Sequence, residues 1–338
     1  MAEKKDKVGV QDIAEKLNIS ASTVSRALND HPRISKETKE KVWQVARRLG
    51  YFNNQVVRPE VEQTEVVLLV VPKLDFSFNR ELLAGVRDYF SRKGYYVFVM
   101  DSQQGEEMIN SFFREYKKYN ISGIIHVLCK NSIPADFYSS FHKDLFPVVT
   151  VFQPDNDNLV SSVMPDLFQG IYESVKYLKS INAVNAALFL ENGDRPVDHQ
   201  IVSSFNSVYE SMEIEDMPEV YYLNDDPDLV RNAVESFVKK GFPDVLFVKN
   251  VIIAVEVLNE AERLGISIPG DMLLITIDTF AGTKKLSSNM SLLKLPAYDM
   301  GEKAAAILMH QIGNPGNEKK TAVVPVKFIL KGSAMRLH

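Results

Sequence analysis

The sequence has 338 residues, 45% hydrophobic and 25% charged, an ordinary globular composition long enough for two or more folding units. It excludes a disordered or collagen-like chain, and the single cysteine, Cys129, excludes an internal disulfide framework or a cysteine-rich zinc site. The net charge of −5 hides an asymmetry, because residues 1–60 sum to +4 and residues 61–338 to −9. A basic arm on an acidic body suits a head that meets a polyanion, although a solvated lysine-rich terminus has the same composition. Apolar runs such as 66–71 are far shorter than the about twenty residues a membrane helix needs. The start MAEKKDKVGV has no apolar stretch, so no secretory signal and a cytoplasmic location are expected.

Three short helices are predicted in residues 9–50. Val10, Ile13, Ala14 and Leu17 form one apolar stripe, and Asn18 suits the left-handed bend that follows. Ser20 is the expected N-cap of a second helix whose buried stripe is Val24, Ala27 and Leu28. Ser35 caps a third with Val42, Trp43, Val45, Ala46 and Leu49, and Gly50 stops it. Helix, tight turn, helix and supporting helix is the helix-turn-helix pattern, whose second helix lies in a DNA major groove. Ser20, Thr23 and Ser25 are short hydroxyls suited to phosphate, and Arg26 can bond a guanine edge in bidentate fashion through two guanidinium nitrogens. A small three-helix domain without a partner would fit the same geometry.

The string from Val10 to Tyr51, with DIA…S..TVSRALN and IS..T…V…A..LGY at ungapped spacing, resembles the head of the lactose-repressor (LacI/GalR) family of bacterial regulators. The resemblance places Ala21, Ser22 and Arg26 at base-reading positions and Ser20, Thr23, Ser25 and Asn29 at phosphate contacts. Beyond the head, in residues 53–64, the family carries a hinge helix with a leucine that wedges into the minor groove. Asn54, Val56 and Val57 fit that hinge, but Glu60 stands at the leucine position and Pro59 lacks an N–H. A standard hinge is therefore not expected. Val56 or Val57 is left as a smaller wedge, and a plain linker is the alternative.

From residue 65 the pattern alternates. Strands are predicted at 66–71, 95–100, 121–128, 148–151, 186–190, 245–248 and 273–277, read as buried. Helical stretches fall between them, including one with Leu82, Leu83, Val86 and Phe90, and others at 170–178, 229–238 and 251–264. This alternation predicts parallel sheets covered on both faces, in two similar subdomains with a cleft. Landmarks including Glu81-Leu82-Leu83-Ala84-Gly85, Asp166, Gly170, Ile268-Pro269-Gly270-Asp271, Met300-Gly301 and Lys331-Gly332-Ser333 resemble the same family's core.

The resemblance implies an all-α helix-turn-helix head (1–52) and an α/β core (65–338). The core would be two doubly wound parallel-sheet subdomains of the periplasmic-binding-protein (type I) kind. The N-subdomain would cover about 65–160 and 293–322, the C-subdomain about 161–292 and 323–338, with crossovers near 160, 292 and 322. An effector would sit between them at strand carboxyl ends. Phe78, Asp166, Asn250 and Asp278 fall at the family's ligand positions. Ile201 stands where a sugar-clamping arginine is usual, Val251 replaces an aspartate and Leu167 an asparagine. Arg195, Asp198 and His199, expected on a loop after a strand, either face the cleft or point to solvent. A simple hexose is thus disfavoured, leaving a phosphorylated ligand, a more apolar one, or none.

No phosphate-binding glycine loop, nucleophile elbow or paired-histidine motif is present. The Asp155-Asn156-Asp157-Asn158 run reads as a solvated turn, Asn224-Asp225-Asp226-Pro227 as a helix cap, and Cys129 as a small core residue. No metal, cofactor, catalytic residue or membrane partner is expected. The reading is a DNA-binding transcriptional repressor, dimeric on a palindromic operator and controlled by a carbohydrate-related effector, a sugar or sugar phosphate. The alternative is a sugar-sensing protein whose head no longer binds DNA.

Overall fold

The computed structural model describes residues 9–28, 31, 33–49, 51, 65–72, 74, 77–102, 106–127, 135–152, 159–191, 196–224, 226–278 and 289–336. Asn29, Gly50, the linker with Asn54, Val56, Val57, Pro59 and Glu60, Cys129, residues 155–158 and Arg195 lie outside them, as does the side chain of Asp278. The chain divides into one unit over Met1–Thr64 and a second over Glu65–His338.

In the first unit α1 (Val10–Leu17), α2 (Ala21–Leu28) and α3 (Lys36–Leu49) enclose Ile13, Ala14, Val24, Ala27, Val42 and Ala46. The punctuation expected from the sequence is present. Asn18 ends α1 in the left-handed region at φ 52°, and the Ile19 N–H returns to the Ala14 carbonyl at 3.1 Å. Ser20 Oγ accepts from the Thr23 N–H at 3.1 Å, and Ser35 Oγ accepts from the Thr38 N–H at 3.3 Å. Each such cap contributes about 1 kcal/mol.

The second unit alternates strand and helix. Its first half runs β1 (Val66–Val71), α4 (Ser77–Ser91), β2 (Tyr96–Asp101), α5 (Glu106–Glu115), β3 (Ile121–Val127), α6 (Ala135–Lys143), β4 (Val148–Val151) and β5 (Ser161–Asp166). The next stretch is α7 (Leu167–Ser180), β6 (Ala186–Leu190), α8 (Pro196–Ser211), β7 (Glu219–Tyr222), α9 (Pro227–Lys240), β8 (Val245–Val248), α10 (Val251–Leu264), β9 (Leu273–Asp278) and β10 (Ser291–Lys294). It ends with α11 (Ala297–Gly313), β11 (Thr321–Pro325) and β12 (Lys327–Ile329). Asp226 caps α9, accepting from the Asp228 N–H at 2.9 Å with Pro227 in the first turn, as expected.

These strands make two six-stranded sheets, ordered β11-β5-β4-β3-β1-β2 and β12-β10-β9-β8-β6-β7. The paired neighbours are parallel except β12, which runs antiparallel to β10. Helices cover both faces, which is why β4, β6 and β8 are buried along their whole length. The sequence places 95–100 among the buried strands, and there the structure differs. β2 is an edge strand, with Tyr96 62% and Phe98 59% exposed; β-branched and aromatic residues report a pleated strand, not its burial. β5 escapes the sequence pattern because its buried Ser161 and Ser162 break the apolar run. Ser161 Oγ accepts from Gln311 Nε2 at 2.7 Å, and Ser162 pairs with the Thr321 hydroxyl at 2.9 Å.

The chain leaves the first sheet after Asp166, returns after Lys294 and leaves again after Pro325. Every passage departs from the carboxyl end of a parallel strand. All strands of a parallel sheet point one way, so the carboxyl ends of both sheets border the three passages.

Helices α4 and α11 cross in close contact on the first sheet. A Cβ on Gly85 would lie 2.2 Å from the Tyr298 carbonyl oxygen, and one on Gly301 would lie 2.3 Å from the Leu82 carbonyl oxygen. Both obstacles are backbone, so the helices would have to separate. Gly301→Ala is expected to cost about 1–3 kcal/mol, read as a lower urea midpoint; an unchanged midpoint would contradict this crossing.

His126 lies buried in β3 with Nδ1 2.7 Å from the Tyr138 hydroxyl oxygen. Burial pushes its pKa down from 6.5 to about 3. The unfolded chain therefore binds more protons across that window, and this contribution to stability is lost as pH falls from 6.5 towards 3. His126→Leu is expected to flatten the acid side of a stability–pH profile.

Candidate nucleic-acid interface and effector cleft

On α2, burial of Val24 and Ala27 fixes which side faces outward. Ala21, Ser22, Ser25 and Arg26, at i, i+1, i+4 and i+5, are exposed, and Thr23 is half-buried. Ser20, at the cap, lies 2.8 Å from the Thr23 hydroxyl and 2.9 Å from the Ser22 hydroxyl. The first turn of α2 carries no acidic residue, which leaves its positive dipole end to an outside anion. The structure therefore places the described sequence-predicted contacts, Ser20 to Arg26, on or beside one outward face and cap.

The described candidate effector residues of the core lie at or after the carboxyl ends of strands in the two sheets. On the first sheet Phe78 opens α4 and is 9% exposed, its ring 4.6 Å from that of Phe152, which follows β4 at φ 72°. Asp166 ends β5 and caps α7, its Oδ1 accepting from the Gln169 N–H at 3.0 Å. On the second sheet Asn250 caps α10. Its Oδ1 accepts from the Ile253 N–H at 2.9 Å and its Nδ2 donates to Glu191 Oε1 at 2.9 Å. Asp278 is the last residue of β9, its backbone opposite Lys294.

The structure adds residues that the sequence pattern did not single out. Glu191 follows β6 and Lys249 follows β8, and Lys249 Nζ lies 3.4 Å from Glu191 Oε2 and 2.5 Å from Asp198 Oδ1. The side chains of Glu191, Asp198 and Lys249 are 7%, 0% and 12% exposed. Asp198 is thus not on a solvent loop but buried in the first turn of α8, whereas His199 beside it is exposed. The signal available in the sequence was a charge directly after an apolar strand, in Leu190-Glu191 and Val248-Lys249-Asn250. Ile201 packs among Phe205, Val208 and Leu190 in the second sheet's core. Among the described residues no group of three or more metal-ligating side chains assembles, and no helix is long and apolar enough to cross a membrane.

Residues 9–54 match the model for bacterial regulatory proteins of the lacI family, and residues 175–334 match the periplasmic binding protein-like domain. Catabolite control protein A of Priestia megaterium is 24% identical over 89% of this chain and 91% of its own length. The ribose operon repressor of Bacillus subtilis is 25% identical over 95% of this chain and 96% of its own length. The lac repressor dimer bound to operator and the anti-inducer ONPF shares the fold, with a TM-score of 0.69 at 16% identity over 98% of this chain and 100% of that one. The chain thus carries a head that matches the lacI family of bacterial regulatory proteins, followed by a core of two parallel-sheet subdomains that matches a periplasmic binding protein-like domain.

Proposed function

We propose that the chain is a transcriptional repressor, not an enzyme, that reads a palindromic operator as a homodimer in the cytoplasm. A small-molecule, carbohydrate-related effector between the core's subdomains controls it. The observation that carries this reading is the outward face of α2, short hydroxyls and one arginine at a helix end free of acids. Ala21, Ser22 and Arg26 face the bases, while Ser20, Thr23, Ser25 and Asn29 hold phosphates, with Asn54, Val56 and Val57 adding contacts from the linker. Phe78, Asp166, Arg195, Asn250 and Asp278 surround the effector. Selection from randomised duplexes should return a palindrome whose affinity falls steeply with salt. A core that binds sugars beside a head that retains no duplex would favour the sensing alternative.

The partner proposed for the β2 edge is a second copy of this chain. Tyr96 and Phe98 are more than half exposed there, as is Tyr119 nearby. Phe98 and Tyr119 help line a groove of about 450 Å³ with Leu68, Leu74 and Phe112. One α2 reads only half a palindrome, so an operator of that symmetry requires two chains. Phe98→Glu is expected to shift sedimentation from dimer to monomer and to weaken operator binding, while leaving the melt of the core nearly unchanged. A dimer of undiminished strength would place the interface elsewhere.

A further inference from the structure

Effector control as proposed above requires the two subdomains to change their angle, and this inference rests on that reading. We infer that Leu295 is the pivot of the core: its side chain restrains that angle, and a ligand held by both halves of the cleft acts by repacking it. Only Leu295 and Pro296 separate β10 of the second sheet from α11, which covers the first. Leu295 is half-buried and packs against the cores of both sheets, and among the described residues it is the one hydrophobic side chain that does so.

The other two passages belong to one side. Leu167 and Val326 are buried in the second sheet's core, and a Cβ on Gly170 of α7 would lie 2.5 Å from Val326 Cγ1. They turn with the second sheet as one body, whereas any change of angle moves Leu295 against one core or the other. The backbone leaves it little slack. The Ala297 N–H returns to the Leu295 carbonyl at 3.0 Å around Pro296, at φ −84° and ψ 58°, an inverse γ-turn in which the proline ring holds φ. A packed side chain has discrete positions, not a continuous range, so such a pivot favours distinct open and closed angles.

Both halves of the candidate cleft connect to it. Lys294, the residue before Leu295, pairs with Asp278 at the end of β9. Two residues after Leu295 begins α11, which meets the backbone of α4 at Gly85 and Gly301, and α4 carries Phe78 in its first turn. A ligand spanning the ends of α4 and β9 thus acts on Leu295 from both sides through packed elements.

Spin labels at Lys93→Cys, just past α4, and Lys239→Cys, in α9, in a Cys129→Ser chain would report the angle as a distance by pulsed electron double resonance. Both lysines are exposed, and dilution with unlabelled chain confines the reading to one chain. With no ligand, the parent and the volume-conserving Leu295→Met are expected to give one narrow distance, and Leu295→Ala a broadened or split one. Leu293→Ala removes the same side chain from the second sheet's core alone and should keep the narrow distance. Leu308→Ala does so for the first sheet's core and is the second control should Leu293→Ala melt early. A Leu295→Ala distribution as narrow as the parent's, or equal broadening in the controls, overturns the pivot and leaves effector control standing. The expected pattern, together with operator binding unmoved by D-ribose, D-glucose or adenosine, would support the pivot and count against effector control.

Discussion

Arg26→Ala is expected to weaken operator binding by about 1–3 kcal/mol per half-site and to relax preference at one base pair in each. On the proposed docking a bidentate guanidinium contact to guanine O6 and N7 would be lost, with no neighbour on α2 able to replace it. The flanking outward residues, Ser22 and Ser25, are too short to reach the same edge. A dimer carries two such contacts, so the summed loss is the largest expected for any single substitution in the head. The core of the head should remain intact, because Arg26 is exposed while Val24 and Ala27 fill the interior. The check is competition binding of wild-type and variant chains against every single-base variant of the selected operator. Equal loss at all positions would make Arg26 a phosphate contact instead of a base reader.

The second large effect belongs to the core. Lys249→Met leaves Asp198, with no exposed surface, and the nearly buried Glu191 without the cation between them. Breaking a buried pair by removing one partner costs about 3–5 kcal/mol, because the remaining charge has lost both water and counter-ion. Chemical denaturation of the second unit should show that loss. The double variant Lys249→Met/Asp198→Asn should recover much of it, because the most deeply buried carboxylate is then neutral. A double variant no better than Lys249→Met would mean that packing of the lysine stem, and not charge, holds this edge together.

The sequence made the head legible almost residue by residue. Its signals are local: Asn18 in the left-handed region, Ser20 and Ser35 as caps, and an apolar stripe closing one small core. The outward face of α2 then follows from which residues are buried. In the core, strands that are apolar on both faces could be read directly, but strands defined by their partners could not. β5 satisfies its serines through Gln311 and Thr321, which lie far along the chain, and β2 is exposed because it ends a sheet order that periodicity does not encode.

The cleft was the least legible part. The spacing that marks Asn250 gives no hint that its amide is spent on Glu191, or that Lys249 bridges Glu191 and Asp198. Those contacts join two separate strand-to-helix connections, β6 to α8 and β8 to α10, and exist only once the second sheet has formed. The landmarks Gly85 and Gly301 find their reason in the same kind of long-range contact, since each lies against the backbone of the other's helix.

Methylation protection of guanine N7 on the selected operator tests the central claim most directly, since N7 lies in the major groove where α2 would sit. The account predicts protection of a guanine at two symmetry-related positions by the wild-type chain, and loss of that protection with Arg26→Ala at concentrations that still saturate the DNA. Full reactivity of major-groove guanines under saturating wild-type chain, or protection that Arg26→Ala leaves unchanged, would contradict it.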